Sequence, residues 1–451
     1  MSTPESSRIT RQTVLEIPSL LYLERYRNEG TRNYSRHAAY SEAGEEYRPT
    51  SEVADFTLPV YELPRREMNV YTAHPPSDLA SAFLPKDSAL FCIHPQVLAA
   101  CGDDPYVRRT LELSRRTHAG MAADAPLRVS ATSSTRTLFV LNPAVGLAHF
   151  RPHSLKVHFP FRVSRYGRRM RDEVVEQAIA VSTELETWMR TKQSTEAGSR
   201  VSQGAGFGTG SGVGFAFLRE VIGVTQKNLD PDTPRGENWG YLVRDMVPVP
   251  VVEDERALVP GFALYGRDYF NPEETPLIMD LADPGDPAGW ILENVLLPIV
   301  RHWVACFREL GLVLEPHGQN VLLEIDAEGR VLRVVHRDLS VAIDMRRRRD
   351  LEIPNGSLND YNRMESGAFN SIAYDKFMGG HFFDSLLEPL LEQDPTLSME
   401  DFRRPVRDVF DGAFPEHERY VPRTVHYFSE DRDRFGKPLY QDTGRAPQWR
   451  P

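Results

Sequence analysis

Three groups of residues in this chain combine hydroxyl, cationic and carboxylate side chains at spacings that could do chemistry. The first is the run Thr132-Ser133-Ser134-Thr135-Arg136-Thr137, hydroxyls in a row around one guanidinium. Such a run suits phosphate oxygens, because a guanidinium makes charge-assisted hydrogen bonds and hydroxyls both donate and accept. Its plain alternative is an exposed Ser/Thr turn. The second is Lys156, followed by Ser164 and Arg168, with Arg162, Arg165, Arg169 and Arg171 interleaved. This concentrated cationic patch could hold a nucleotide phosphate or a polycarboxylate, and its alternative is a solvated basic helix start. The third pairs Glu315-Pro316-His317-Gly318-Gln319-Asn320 with His336-Arg337-Asp338. Converging oxygens of Glu315, Asn320 and Asp338 suit an octahedral Mg2+ that keeps waters and bridges phosphates, unless these polar ends merely face solvent.

The elements that must position these groups are partly legible. Arg128 to Leu141 reads as strand, turn, strand, with the hydroxyl run in the turn. His153 to Val163 alternates Leu155, Val157 and Phe159 against Lys156 and His158, the period of a half-buried strand, with Pro160 predicting an edge or bulge. Asp104 to His118 and Asp172 to Arg190 carry helical spacing, the latter through Val175, Ile179 and Leu185. Tyr241 to Val252 and Ala257 to Tyr265 read as strands. Gly289 to Leu310 reads as a helix kinked at Pro298 and ended by Gly311. Val321 to Ile325 and Val331 to Val335 flank a turn and form a hairpin, which brings Asn320 and Asp338 to one end. The first fifty residues read as a partly helical entry segment, and Gly436 to Pro451 as an irregular tail.

The glycines between Gln193 and Gly214 fit no GxGxxG frame and read as a flexible loop or junction rather than a phosphate loop. His336-Arg337-Asp338 matches the start of the protein-kinase catalytic-loop signature. That signature needs Asn five residues after its Asp, where Ile343 stands, and no Gly-rich loop, V-A-I-K or D-F-G follows the kinase order.

Composition narrows the classes. The 451 residues are 41% hydrophobic and 26% charged, near the globular average, and suffice for a large buried core. Lys and Arg number 53 against 64 Asp and Glu, a net charge of -11, so no overall basic field attracts nucleic acid or a membrane surface. Any bound phosphate must be held by a local cluster. Cys92, Cys101 and Cys306 are odd in number and widely spaced, as suits a reducing cytosol. Uninterrupted apolar stretches such as Val295 to Val300 fall short of the roughly 18 residues of a membrane helix, and the start of the chain lacks an apolar leader. With 34 Pro and 30 Gly, a long-helix bundle or solenoid is disfavoured.

In this order, Ser134-x-Arg136-Thr137, then Lys156 with Ser164 and Arg168, then Glu315-x-His317-x-Gln319-Asn320, then Arg337-Asp338, the chain resembles the siderophore synthetases that work independently of nonribosomal peptide synthetases, of the aerobactin-synthetase type. The resemblance runs from about His94 to Asp338. It implies an α+β, multi-lobed fold likened to a cupped hand, with mixed and antiparallel sheets: a thumb over 1–120, fingers over 121–290 and a palm over 291–451. It also implies a cytoplasmic enzyme, commonly a homodimer, that uses ATP and Mg2+ to adenylate a citrate-like carboxylic acid and then joins it to an amine or alcohol. By position, Ser134, Arg136, Thr137, Lys156, His317, Gln319 and Asn320 would meet ATP, with His317, Arg136 and Lys156 catalytic. Ser164, Arg168 and His94 would hold the acid, and Glu315, Asn320 and Asp338 the metal. Members usually carry a Lys and an Arg shortly after the His-Pro that His94-Pro95 represents; Leu98 and Ala100 stand there instead. Lys437 is a candidate for the family's late substrate lysine, though an exposed loop lysine fits its surroundings better. The departures at 98 and 100 also admit a non-catalytic siderophore- or nucleotide-binding accessory protein, and the shared nucleotide site admits a kinase-like phosphotransferase.

Overall fold

Apolar runs in the first 250 residues pair into one seven-stranded antiparallel sheet. The computed structural model describes residues 17–31, 40–116, 127–141, 151–164, 166–197, 213–229, 239–252, 256–432 and 438–451. In spatial order the strands are Phe56–Leu58, Leu127–Ala131, Thr137–Val140, His153–Val157, Gly240–Asp245, Glu220–Gln226 and Met68–Thr72. One face lies under the long helix Asp172–Ala197, where Val175, Ala178 and Ile179 pack with Leu242. The other face packs through Leu155, Tyr241 and Val243 on Leu63, Leu79, Phe83 and Val107.

With both faces covered, the central strands have no solvent side. The strand His153–Val157, expected to be half-buried, is buried along its whole length. Register places Lys156 opposite Thr137 on one side and Leu242 on the other, with Arg244 opposite Ser154. These residues share the helix-bearing face, so polar side chains beside the apolar contact converge there rather than facing water. Phe159–Val163 is a separate strand, and its pairing with Tyr166–Arg168 carries the irregularity that Pro160 foretold.

A second, four-stranded sheet runs Gly214–Phe217, Val331–His336, Val321–Ile325, Ala257–Pro260, with the first pair parallel and the rest antiparallel. The expected hairpin lies at its centre. The strand expected over 257–265 ends at Pro260 and continues as the helix Gly261–Tyr265, because four successive buried residues there suit a core turn better than an alternating strand. The strand expected over 241–252 stops at Asp245, whose Oδ1 accepts from the Val247 N–H and turns the chain.

The run Pro287–Leu310 is helical throughout, with a wide π turn at Leu292–Leu296 just before Pro298. That turn accommodates the proline, which has no N–H to give. Gly311, at φ 66°, caps the end by donating its N–H to Phe307. The run is long and apolar enough to cross a membrane, a property that uninterrupted apolar stretches alone do not reveal, and 67% of its most apolar window is buried inside the protein. Ile291, Val295, Ile299, Trp303 and Phe307 place it in the largest core.

The final residues are only in part an irregular tail: no helix or strand follows Asp442, but the segment is tied down. Pro438–Asp442 pairs with His426–Arg432, and beyond it Trp449 and Arg450 are buried. The Arg450 guanidinium grips the Asp375 carboxylate at 3.0 Å. Most of the glycine-rich segment, with Arg165 and Lys437, lies outside the described residues.

Candidate active site

The hydroxyl turn links two adjacent strands of the large sheet, and its geometry is set by its own side chains. Thr132 Oγ1 donates to the Thr137 carbonyl at 2.8 Å, and the Thr137 N–H donates to Ser134 Oγ at 3.1 Å. Thr135 sits at φ 68°. Ser164, at the tip of the neighbouring hairpin, has φ 62°, and Asp338, just past the central hairpin of the second sheet, has φ 69°. A left-handed backbone is uncommon for residues other than glycine, most of all for β-branched threonine, and such strain concentrates at functional sites. Here three of these residues come from three separate elements that meet at one place.

They meet around two adjoining cavities. The smaller, about 90 Å³, is lined by Ser134, Arg136, Thr137, Lys156, Arg244 and Arg337, among others. The larger, about 350 Å³, is lined by Glu315, His317, Tyr265, Phe377, His381 and Phe428, among others. Ser164, Arg168, Gln319, Asn320 and Asp338 border both. The structure therefore gathers Ser134, Arg136, Thr137, Lys156, Ser164, Arg168, Glu315, His317, Gln319, Asn320 and Asp338, but not His94, and the interleaved Arg162, Arg169 and Arg171 border neither cavity. The His94 imidazole is fully buried, accepts from the Gln96 N–H as the cap of helix Pro95–Ala100, and packs edge-on against Tyr47 and Phe159. It borders neither cavity.

Cations in the small cavity divide into two sorts. Lys156 donates to Asp338 Oδ1 at 2.5 Å, Arg244 makes two bonds to Glu220 Oε1, and Arg337 lies 2.5 Å from Glu24. Arg136 instead donates to the Arg168 carbonyl, and Arg168 to the Val163 carbonyl. Among the described residues neither guanidinium has a carboxylate partner. Burial first, and Arg168 second, push Arg136 down to about 10, a measure of how poorly its charge is compensated.

Burial and the Asp338 charge push Glu315 up to about 7, against the opposing pull of Lys156 and Arg168. For Asp338, burial acts to raise the carboxyl, but Lys156, Arg244 and Arg136 outweigh it and hold it well below its ordinary value. Asn320 Nδ2 donates to the Glu315 carbonyl, leaving its amide oxygen as a donor atom for a cation. Two carboxylates and an amide oxygen, with Asp338 Oδ2 free of donors among the described residues, fit Mg2+, which binds through one or two carboxylates and keeps its waters. Among the described residues there is no group of three or more His, Cys, Asp or Glu side chains arranged to hold a metal.

His317 Nδ1 accepts from the Gln319 N–H at 3.2 Å, which leaves the proton on Nε2. Burial, then His381, push it down to about 4, so it is a neutral donor rather than a cation at pH 7.

Sequence reasoning missed several residues here. Arg244 was hidden in an apolar strand, where a charged residue inside the run YLVRD was the available signal. Glu24 lies in helix Ile17–Tyr26, an apolar stretch interrupted by Glu24-Arg25. Phe377, His381, Tyr427 and Phe428 come from the C-terminal part, and a pocket wall of aromatics leaves no spacing signature.

A family profile described as ferric iron reductase FhuF-like transporter matches residues 292–439. No match was found among curated proteins. Among solved structures, the ATP-bound aerobactin synthetase IucA of Klebsiella pneumoniae aligns with TM-score 0.63 and 13% identity, over 96% of this chain and 78% of that one. Aerobactin synthetase IucC of the same organism gives 0.60 and 14%, over 91% and 76%. The petrobactin biosynthesis protein AsbB of Bacillus anthracis gives 0.59 and 17%, over 86% of this chain but only 66% of AsbB. The chain is thus shorter than the proteins it resembles. On that superposition the chain has the α+β fold of the siderophore synthetases that its motifs led one to expect.

Proposed function

We propose that the chain is an ATP- and Mg2+-dependent synthetase that activates a carboxylic acid as its adenylate and condenses it with an amine or alcohol, in the making of a siderophore or a related natural product. The observation that carries this reading is the pair Arg136 and Arg168, two guanidiniums without carboxylate partners among the described residues, beside a cavity whose other cations are neutralised. Such charge calls for an anionic ligand, and its setting between a phosphate-sized cavity and a larger one fits two ligands meeting.

The chemistry is one of charge management. A carboxylate oxygen attacks the α-phosphorus of ATP, the bond to the β-phosphate breaks, and pyrophosphate leaves with the electron pair. The nucleophile then attacks the acyl carbon, AMP departs, and the proton of the nucleophile passes to solvent. Both partners of the first step are anions. Arg136 and Lys156 offset their repulsion and stabilise the charge that builds on the α-phosphate. Ser134 and Thr137 orient phosphate oxygens, Gln319 and Asn320 border the nucleotide, and Ser164 and Arg168 hold the acid. His317 donates through Nε2 to the carboxylate or α-phosphate. Glu315, Asn320 and Asp338 would hold Mg2+, which supplies Lewis-acid charge neutralisation of the phosphates when bound. ATP use draws support from IucA, whose solved structure is of the ATP-bound protein.

A second reading, a ferric-siderophore-binding accessory protein, is favoured by the FhuF-like match and by Leu98 and Ala100. One assay separates the readings. Protein, ATP, Mg2+ and citrate or another polycarboxylate, with hydroxylamine as nucleophile, should yield AMP, pyrophosphate and hydroxamate. Arg136→Ala should lower this at least about a hundredfold while the protein stays folded. Accumulation of ADP would identify a phosphotransferase. Ferric-siderophore binding without any nucleotide turnover across a panel of acids would identify the accessory protein.

A further inference from the structure

Glu24 belongs to helix Ile17–Tyr26, far in sequence from every motif, yet it sits 1% exposed against Ser133 and Arg337, which border the two cavities. Its Oε2 accepts from both the Ser133 N–H at 3.3 Å and the Ser133 hydroxyl at 2.9 Å. Its Oε1 lies 2.5 Å from Arg337 Nη1, an ion pair. Arg337 Nε donates onward to the Gln319 carbonyl at 2.7 Å, and Gln319 Nε2 reaches back to the Ser133 hydroxyl at 3.5 Å. The four residues close a ring.

Each member comes from a different piece of the site: the hydroxyl turn, the Glu315-to-Asn320 loop, the Arg337-Asp338 step and this helix. Ser133 borders the larger cavity, Arg337 the smaller and Gln319 both. Ser133 immediately precedes Ser134 and is close in sequence to Arg136, while Arg337 immediately precedes Asp338. A shift of this ring therefore moves the hydroxyl turn and the Asp338 carboxylate relative to one another. Arg25, the next residue, ties the same helix to the sheet by donating to Ser130 Oγ at 2.5 Å and to the Ser51 carbonyl at 2.9 Å.

We infer that Glu24 is a positioning residue of the active site: through Ser133 and Arg337 it fixes the phosphate-facing turn against the Asp338 step, and it absorbs the Arg337 charge so that Arg136 and Arg168 remain the cations open to ligand. This rests on the synthetase reading for its catalytic consequence, but not for its structural one. Burial of an aligned carboxylate between two partners, rather than at the surface, is what makes small displacements costly here.

The test uses the full chain with Glu24→Gln, which keeps size and acceptor but not charge, and Glu24→Asp, which keeps charge at shorter reach. Hydrogen exchange should quicken about tenfold or more in Glu24→Gln over 132–137 and 317–320, with helix Leu297–Leu310 unchanged. AMP-forming kcat should fall about tenfold or more at a KM for ATP that is unchanged or lower, because Arg337 is then an additional free cation. Glu24→Asp should recover part of kcat. The inference is overturned if exchange over those segments and kcat both match the wild type, or if kcat and folded fraction fall together with no change in KM and no recovery in Glu24→Asp. Should the wild type release no AMP from any acid, the synthetase reading falls, and the exchange result alone still decides whether Glu24 fixes the turn.

Discussion

Asp338 shows how much one side chain is asked to do. It receives the Lys156 ammonium, it raises Glu315, and it does so from a left-handed backbone at φ 69°. Asparagine tolerates that conformation nearly as well as aspartate, whereas alanine adds strain of its own, so the two substitutions separate charge from backbone. Asp338→Asn should leave Lys156 buried without its counter-ion and lose about 2 kcal/mol, less than a fully buried pair because Asp338 is 33% exposed. Asp338→Ala should lose about 1 kcal/mol more. Urea unfolding at pH 7 reads both, and equal losses would mean that the φ carries no strain. AMP formation should fall at least about a hundredfold in each. The chemistry of this residue was visible from the hairpin pairing alone, because Val321 opposite His336 forces Asn320 and Asp338 together. Its strained backbone was not visible, since no local composition marks a left-handed aspartate.

The aromatic wall of the larger cavity is built by a twelve-residue π-helical stretch, Ile372–Phe383, that carries Phe377 and His381. A π turn is seldom stable by itself and needs bracing from outside. Three contacts brace this one: Arg450 on Asp375, the Tyr374 hydroxyl on the Trp449 carbonyl, and the Trp449 ring against Gly379 and Phe383. A Cβ on Gly379 would stand 2.4 Å from the Trp449 ring, far inside contact distance. Gly379→Ala should therefore displace Trp449, lower stability by about 1–3 kcal/mol and weaken binding to the larger cavity more than to the phosphate side. Thermal melts and the KM of the nucleophile against that of ATP check this; a change in stability alone would show that the brace does not reach the pocket. This assembly is why the irregular end of the chain is buried rather than loose. The last residues carry no periodicity because their contacts are long-range: Trp449 and Arg450 find partners more than sixty residues away. The elements read correctly, such as the helix expected over Asp172 to Arg190, which runs on to Ala197, and the central hairpin, are those whose burial follows from their own period. His153–Val157 was misjudged for the converse reason: alternation reports one wet face, and the polar half of this strand faces a polar cavity floor inside the protein.

At the scale of the whole molecule, the two large cores, one in the large sheet and one around Trp303, leave many histidines buried, both at the candidate site and away from it. His94, His158 and His302 are pushed down to about 3 and His317 to about 4, in each case chiefly by burial. His153 and His336 shift the same way for the same cause. Folded, these rings stay neutral; unfolded, they take up protons below about pH 6.5. Their contribution to stability is thus fully present above that pH and is lost as pH falls toward 4. By linkage each such ring costs the fold on the order of 1–2 kcal/mol at pH 5, and the costs act in the same direction. The protein should accordingly melt at sharply lower temperature between pH 6.5 and pH 5, at constant ionic strength. His302 offers the control, because it stacks on Phe215 at 4.4 Å in a fully buried site outside both cavities. His302→Phe removes one proton-accepting ring while keeping a flat one, so its melting temperature should fall less steeply over that interval than the wild type's. A melting temperature that stays level from pH 7 to pH 5 would mean that the buried rings are protonated in the fold, and would move the acid-sensitive groups to the carboxylates instead.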